Sequence, residues 1–372
     1  VADRYDIGIV GAGILGLAHA YTFAKRGFKV VVLERNPRAL GASVRNFGMI
    51  WPVGQPLGAM RDLAMRSRDI WVGVTSEAGI WRRDCGSLHL AYHKDELGVL
   101  DEFSKLAPDA VQMLTAAEAC DRSPVVRRSG LLGAMASPSE LCVNPREVVR
   151  TLPGHLGSLG VEFRFGASVV GAEPGKLFTA ESEILADQIF LCTGDDFETL
   201  YPAVLRSSGL NRCKLQMLKA RASTADYSIG PHLCAGLTLG HYSNFRVCKR
   251  LPELLARFER ELPEHVRCGV HLLVSQHENG DLTIGDSHEY GLSPDPFLRE
   301  EIDRLILGYL DTFLPTEHLR VSERWYGVYA KHPEKSYVVE EVAPGVVLVT
   351  GVGGAGMTLS FGLADLVANR FG

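Results

Sequence analysis

Asp6-Ile7-Gly8-Ile9-Val10-Gly11-Ala12-Gly13-Ile14-Leu15-Gly16 opens the most informative stretch of the chain. A helical pattern follows to Gly27, and then Lys29-Val30-Val31-Val32-Leu33-Glu34. The order is strand, G-x-G-x-x-G, helix, strand, which is the full context that makes this glycine spacing a dinucleotide-binding fingerprint. Gly11 makes the tight turn, Gly13 lets backbone approach a pyrophosphate, and Gly16 allows the helix to pack closely on the strand. The pyrophosphate then rests at the helix N-terminus beside Ile14, where unpaired N–H groups and the helix dipole favour an anion. Glu34 ends the second strand, where a carboxylate accepts hydrogen bonds from both hydroxyls of an adenosine ribose. Its negative charge disfavours a 2′-phosphate there without separating NAD from FAD.

Working outward, the 372 residues carry 46% hydrophobic and 22% charged side chains, an ordinary globular composition whose length favours two domains over one. A net charge of −5 offers no basic surface to a polyanion, so nucleic acid is not an expected partner. The eight cysteines lie far apart with no C-x-x-C pair, which reads as reduced thiols in a cytoplasmic protein. The opening residues lack the order of a signal peptide. Gly345 to Gly362 is long and uncharged but holds six glycines, so it reads as strand, loop and helix start rather than a membrane span. No H-E-x-x-H or clustered Cys/His spacing points to a metal.

Three further segments bear on the nucleotide. Leu40-Gly41-Ala42-Ser43-Val44-Arg45-Asn46-Phe47-Gly48-Met49-Ile50 is glycine-punctuated where an NAD fold would continue with another helix and strand. Ala186 to Leu191 is a buried strand that ends in the small turn Cys192-Thr193-Gly194. Val346 to Gly351 is a strand feeding Val352-Gly353-Gly354-Ala355-Gly356-Met357-Thr358-Leu359-Ser360, a glycine-rich loop and helix start. Together with the fingerprint, these segments resemble the D-amino acid oxidase, glycine oxidase and sarcosine oxidase superfamily of FAD-dependent oxidoreductases, over nearly the whole chain.

That resemblance implies an α/β fold. A Rossmann-type FAD-binding domain would take residues 1–85, 141–205 and 330–372. A discontinuous α+β substrate domain, carrying a large mixed and mainly antiparallel sheet, would take 86–140 and 206–329. Cys213 to Leu218, Gly269 to Gln276 and Asp281 to Gly285 read as strands of that sheet, with Asn279-Gly280 as a hairpin turn. Leu251 to Leu262 and Pro296 to Phe313 read as amphipathic helices. The resemblance further implies FAD lying extended, with Glu34 and Arg35 near the ribose, Ser43 near the pyrophosphate and Val169 beside adenine. Thr193 and Gly194 would lie along the cofactor, with Asn46, Gly48 and Met49 from the second glycine segment. Backbone N–H groups of Gly353, Gly354, Gly356, Met357 and Thr358 would meet the pyrimidine edge of the flavin and stabilise negative charge there.

The chain departs from these relatives where substrate would be held. D-amino acid and glycine oxidases clamp a carboxylate with arginine in a G-x-R segment, and the matching stretch Gly327-Val328-Tyr329 places Tyr329 there. The cysteine that bonds flavin covalently in sarcosine oxidase falls at Gly327, so FAD is expected to be non-covalent at that position. The lysines of its substrate loop and oxygen site fall at Thr358 and Thr283. Arg45, Asn46, Tyr242, His288, Tyr329 and Lys331 remain as candidate catalytic and substrate-binding residues. Cations, hydroxyls and histidines of this kind suit a multi-oxygen anion.

Ser43 to Met49 combined with Asp286-Ser287-His288-Glu289-Tyr290 resembles a subgroup linked to aminophosphonate breakdown. This implies oxidation of 2-aminoethylphosphonate or its N-methyl derivative to an imine, which hydrolyses to phosphonoacetaldehyde and an amine. The alternatives are oxidation of a secondary or D-amino acid, or a non-catalytic FAD-binding protein. Each candidate also has a plainer role. Arg45 could neutralise the FAD pyrophosphate, His288 could be a satisfied structural histidine, and Tyr242 and Tyr329 could be core aromatics. Lys331 could lie on the surface, while His271 and the charges from Arg82 to Asp84 read as structural. Asp286-Ser287-His288 is not a hydrolase triad, since no nucleophile elbow accompanies it.

Overall fold

The fingerprint forms the centre of an eight-stranded sheet in the computed structural model, which describes residues 4–224 and 226–372. Arg4–Val10 pairs in parallel with Val30–Glu34 on one side and with Glu183–Leu191 on the other. Val30–Glu34 is buried at every position, as its unbroken apolar run requires of a parallel strand covered on both faces. Glu162–Phe165 extends the sheet beyond it. The far edge of Glu183–Leu191 is shared, with Lys176–Thr179 antiparallel near its start and Val346–Thr350 parallel near its end. Val169–Glu173 and Val338–Ala343 complete the sheet as hairpin partners of those two strands.

Covering one face are the fingerprint helix Ile14–Lys25, the terminal helix Gly356–Phe371 and the helix Ala59–Glu77. Their shared core includes Trp71, Phe23 and Phe361. Trp71 meets Phe361 edge-on at 4.8 Å and donates its indole N–H to Met357 O at 2.8 Å. The start of the terminal helix is therefore fixed by a side chain from far earlier in the sequence.

A second, nine-stranded sheet is built from residues 87–137 and 211–331. It is mixed and mainly antiparallel: among the described residues, only His232–Ala235 with Ser87–Ala91 is parallel. Its longest pairing joins Asn211–Ala222 to Leu319–Lys331. Leu273–Gln276 and Leu282–Gly285 form the hairpin expected at Asn279-Gly280, with Gly280 at φ 81°. A small sheet of Met49–Ile50, Leu141–Val143 and Arg82–Asp84 links the two layers.

Two elements are shorter than the sequence pattern suggests. Extended structure in Gly269 to Gln276 begins only at Leu273, because Gly269 turns into left-handed backbone at φ 59° and lies against the backbone of His288. The helix expected from Pro296 begins at Glu300, since Asp295 accepts the Phe297 N–H and holds the preceding residues in a turn. Among the described residues, no helix is long and apolar enough to cross a membrane.

Candidate functional site

A cleft of 590 Å³ runs from the fingerprint turn to the inner face of the second sheet. Its first end is made by backbone. Gly11 sits at φ 103°, and a Cβ there would come within 2.4 Å of Cys192 O, so only glycine allows the turn to meet the Cys192-Thr193-Gly194 strand end. A Cβ on Gly16 would lie 1.9 Å from Gly11 O, which is the close helix-on-strand approach foreseen for it. Gly13 is different: its missing Cβ leaves open cleft, with Ser43 Oγ the nearest atom at 3.1 Å. Ser43 Oγ accepts the Ile14 N–H at 2.8 Å and so caps the fingerprint helix from another segment.

Glu34 is buried at the lip of this end. One carboxylate oxygen accepts from Ala12 N at 3.0 Å, and the other from Asn36 N and Nδ2 at 3.0 and 3.1 Å. It therefore ties the turn to the strand end while still lining the cleft. Arg35, Val169, Thr193 and Gly194 line the same end, Arg35 in an ion pair with Asp196 at 2.8 Å. Gly353, Gly354, Gly356, Met357 and Thr358 line the other rim. Thr358 Oγ1 accepts the Trp51 N–H at 2.9 Å, which holds its oxygen toward Trp51.

Two candidates lie behind the lining. Gly48, at φ 70°, packs against Val143 O, and Met49 is buried in the small sheet opposite Cys142. Asn46 lines the cleft, but its amide donates to Ala42 O and Ser43 O and accepts from Gly48 N, which makes it the brace of its own loop.

At the far end, the second sheet presents Tyr329, Lys331, Asp286 and His288 to the cleft, with Tyr242 from the segment after the helix Leu237–His241. Burial raises the Tyr242 and Tyr329 hydroxyls well above the ordinary tyrosine value, so both remain protonated donors. The Tyr329 hydroxyl oxygen lies 3.4 Å from the Cβ position of Gly354, against the terminal glycine loop. Lys331 approaches the Tyr290 hydroxyl at 3.4 Å, and burial lowers its pKa. Arg45 is half-buried, donates to Tyr326 O at 3.3 Å and backs onto Gly327. Thr283 is not part of this lining; its hydroxyl contacts His277 Nε2 at 3.0 Å.

Three lining residues at this end escaped sequence reasoning. Arg246, an exposed residue of the turn Ser243–Val247, lines the cleft and has no ion pair among the described residues. His241 and His271 join His288 so that one ring nitrogen from each lies within 4.8 Å of the others. Asp286 Oδ1 is 3.0 Å from His271 Nε2 and its Oδ2 is 4.0 Å from His288 Nε2. Neither histidine pair has a motif-like spacing, because a helix end and a hairpin bring them together. His271, expected to be structural, thus stands in the cleft wall.

The family described as FAD dependent oxidoreductase matches residues 6–370. The chain belongs to this family. FAD is accordingly its cofactor, and the cleft fits it: a bare glycine turn at a helix start, the Glu34 carboxylate at one end and a glycine-rich loop at the other. Among curated proteins, the chain is similar to a D-amino acid dehydrogenase of Agrobacterium fabrum, at 31% identity over 27% of this chain and 28% of that one. It is also similar to a glycine oxidase of Geobacillus kaustophilus, at 28% identity over 43% and 45% of the two chains. These matches span less than half the length of those relatives. In fold, it is similar to the solved glycine oxidase of Geobacillus kaustophilus, with TM-score 0.77, 20% identity and coverage of 99% and 94%. L-proline dehydrogenase from P. horikoshii gives TM-score 0.82 at 18% identity, covering 100% and 95%.

Proposed function

We propose that this flavoprotein oxidises the C–N bond of 2-aminoethylphosphonate or its N-methyl derivative, giving an imine that water converts to phosphonoacetaldehyde and an amine. The observation that carries this is the charge of the far end of the cleft. Arg246 and Lys331 stand close enough to the histidine cluster to act on it electrostatically and Arg45 lines the same cleft, while Tyr329 stands where the resemblance implies a single carboxylate-clamping arginine. Two or three cations suit a dianionic, three-oxygen headgroup better than a carboxylate. When bound, FAD supplies the acceptor for the hydride that leaves the substrate carbon.

The chain's own part is placement. Arg45, Arg246 and Lys331 draw the anionic end inward and set how far it penetrates. Tyr242 and Tyr329 donate hydrogen bonds from hydroxyls that burial keeps protonated. The buried wall of Trp51, Leu215 and Met217 limits water around the reacting carbon. We assign the cofactor to residues 1–85, 141–205 and 330–372 and the substrate to 86–140 and 206–329. We assign the protein to the cytoplasm, a reading supported by eight cysteines that are free among the described residues.

The names of the relatives favour a second reading, oxidation of a secondary or D-amino acid. An anaerobic titration separates the two, following the flavin band near ~450 nm. The panel is 2-aminoethylphosphonate, its N-methyl derivative, glycine, sarcosine and D-amino acids. Bleaching by aminophosphonates alone is the expected result. Bleaching by the carboxylates alone returns the protein to amino-acid oxidation, and a yellow protein that none of them reduces is a flavin binder without this activity.

A further inference from the structure

His241, His271 and His288 are stacked rather than convergent. The ring centroids of His241 and His271 are 3.8 Å apart at an interplanar angle of 25°, and those of His271 and His288 are 5.0 Å apart at 20°. His241 and His288 lie at 4.4 Å and 37°. Lone pairs in near-parallel ring planes lie in successive layers rather than on lines that meet, whereas metal ligands must aim at one point. Side-by-side imidazoles instead match separate oxygens of one tetrahedral anion. The cluster also has unmet capacity: His271 is 3% exposed, and its Nδ1 has no hydrogen-bond partner. His288 Nδ1 is 3.0 Å from Gly269 O, an N–H to carbonyl contact that leaves Nε2 toward Asp286 and the cleft.

We propose that these three histidines form a proton-coupled anion clamp, in which a tetrahedral dianion binds with uptake of about one proton by the stacked imidazoles. The identity of the physiological anion rests on the aminophosphonate reading above. Without an anion, burial holds His288 down to about 4 and His241 well below the ordinary histidine value, so neither is charged near neutral pH.

Other groups facing the cluster act in both directions. Lys331 from the strand Leu319–Lys331 and Arg246 from the turn Ser243–Val247 oppose protonation, whereas Asp286 favours it. Tyr242 and Tyr329, with Tyr290 and Cys213 beside them, are raised by burial and stay neutral. A dianion reverses the balance by cancelling the two cations and adding its own field. The proton then resides on an imidazole between Asp286 and the anion, and its N–H becomes a charge-assisted donor.

Sulfate is the probe, because it remains dianionic throughout the working pH range and any proton taken up must go to the protein. Calorimetry of holoprotein at pH 7 in buffers of different ionisation enthalpy counts protons per sulfate bound, with acetate as comparison. The expected result is about one proton per sulfate, with Kd rising about tenfold per pH unit between the free-state and bound-state pKa values and levelling off above the latter. His271→Asn and His288→Asn, checked for unchanged flavin absorbance, should weaken sulfate at least about tenfold and cut the proton count.

Sulfate binding without proton uptake, an unchanged count in both variants, or no sulfate binding overturns the clamp. Zinc binding tightly at the cluster assigns it to a cation and also overturns it. The aminophosphonate titration is read separately. Flavin bleaching by aminophosphonate without proton coupling removes only the clamp. Proton-coupled sulfate binding with bleaching by carboxylates alone removes the substrate reading and leaves the clamp.

Discussion

Gly13 and Gly16 stand three positions apart in the fingerprint, yet the same added methyl group has different consequences at each. At Gly16 it meets a backbone carbonyl oxygen at 1.9 Å, which cannot move without opening the helix–strand contact. Gly16→Ala should therefore destabilise the protein by about 1–3 kcal/mol even without cofactor, measured by urea unfolding of apoprotein. Gly13→Ala meets only a serine hydroxyl and projects into the cleft, so apoprotein stability should be retained while the purified protein loses its yellow colour. Equal destabilisation by both would contradict this division of roles.

A second residue-scale prediction concerns Arg45. Its single side-chain hydrogen bond among the described residues, to Tyr326 O, leaves most of the guanidinium available for an anion. Arg45→Ala should raise KM for the aminophosphonate about tenfold or more with FAD still bound, read by steady-state kinetics beside flavin content. Lost flavin with unchanged phosphonate kinetics in the remaining holoenzyme would assign Arg45 to the cofactor instead.

Among the elements, the terminal helix Gly356–Phe371 depends on a partner far away in sequence. Trp71 fixes its first turn through Met357 O and packs on Phe361. Trp71→Phe removes the donor and leaves a small void, which should cost about 2 kcal/mol in unfolding experiments and weaken FAD through the adjacent Gly353 to Thr358 loop. An unaltered flavin affinity would show that the loop is held by other contacts.

Which elements were legible in the sequence follows from how local their signals are. The first strand, turn, helix and second strand each carry their own pattern of apolar run, glycine and periodicity, and the Asn279-Gly280 hairpin is similarly self-contained. The candidate residues Arg45, Tyr242, His288, Tyr329 and Lys331 do meet in one cleft. His241, His271 and Arg246 were not legible, because their proximity arises from one helix end, one loop and one turn converging across the second sheet. Gly48 and Met49 sit in a glycine-rich segment beside true lining residues, and neighbourhood in sequence does not reveal that this backbone turns inward.

At the scale of the whole molecule, buried histidines outside the cleft set the response to acid. Burial lowers His19 and His277 to about 4 and His89 and His232 to about 3. Their folded values lie below the unfolded one, so the unfolded chain takes up the protons first. The stability they support is complete above about pH 6.5 and is lost as pH falls toward the folded values. Each contributes a slope of about 1.4 kcal/mol per pH unit, and the four together roughly 5 kcal/mol between pH 5.5 and 4.5. Urea unfolding over a pH series should show this steep acid limb. His89→Phe should make it shallower by about 1.4 kcal/mol per pH unit, because neither His89 ring nitrogen has a hydrogen-bond partner to lose.

The strand order of the first sheet also governs what can happen while the chain is being made. Arg4–Val10 emerges well before its neighbour Glu183–Leu191, and both precede Val346–Thr350 and the helix Gly356–Phe371. A nascent polypeptide that has reached only residue 337 lacks the rim of the cleft and the helix that Trp71 anchors. The nine-stranded sheet, complete by Lys331, is therefore translated before the cofactor cleft gains its second rim. Closure of the cleft around flavin thus waits on translation of residues 338–372, which supply its glycine-rich rim.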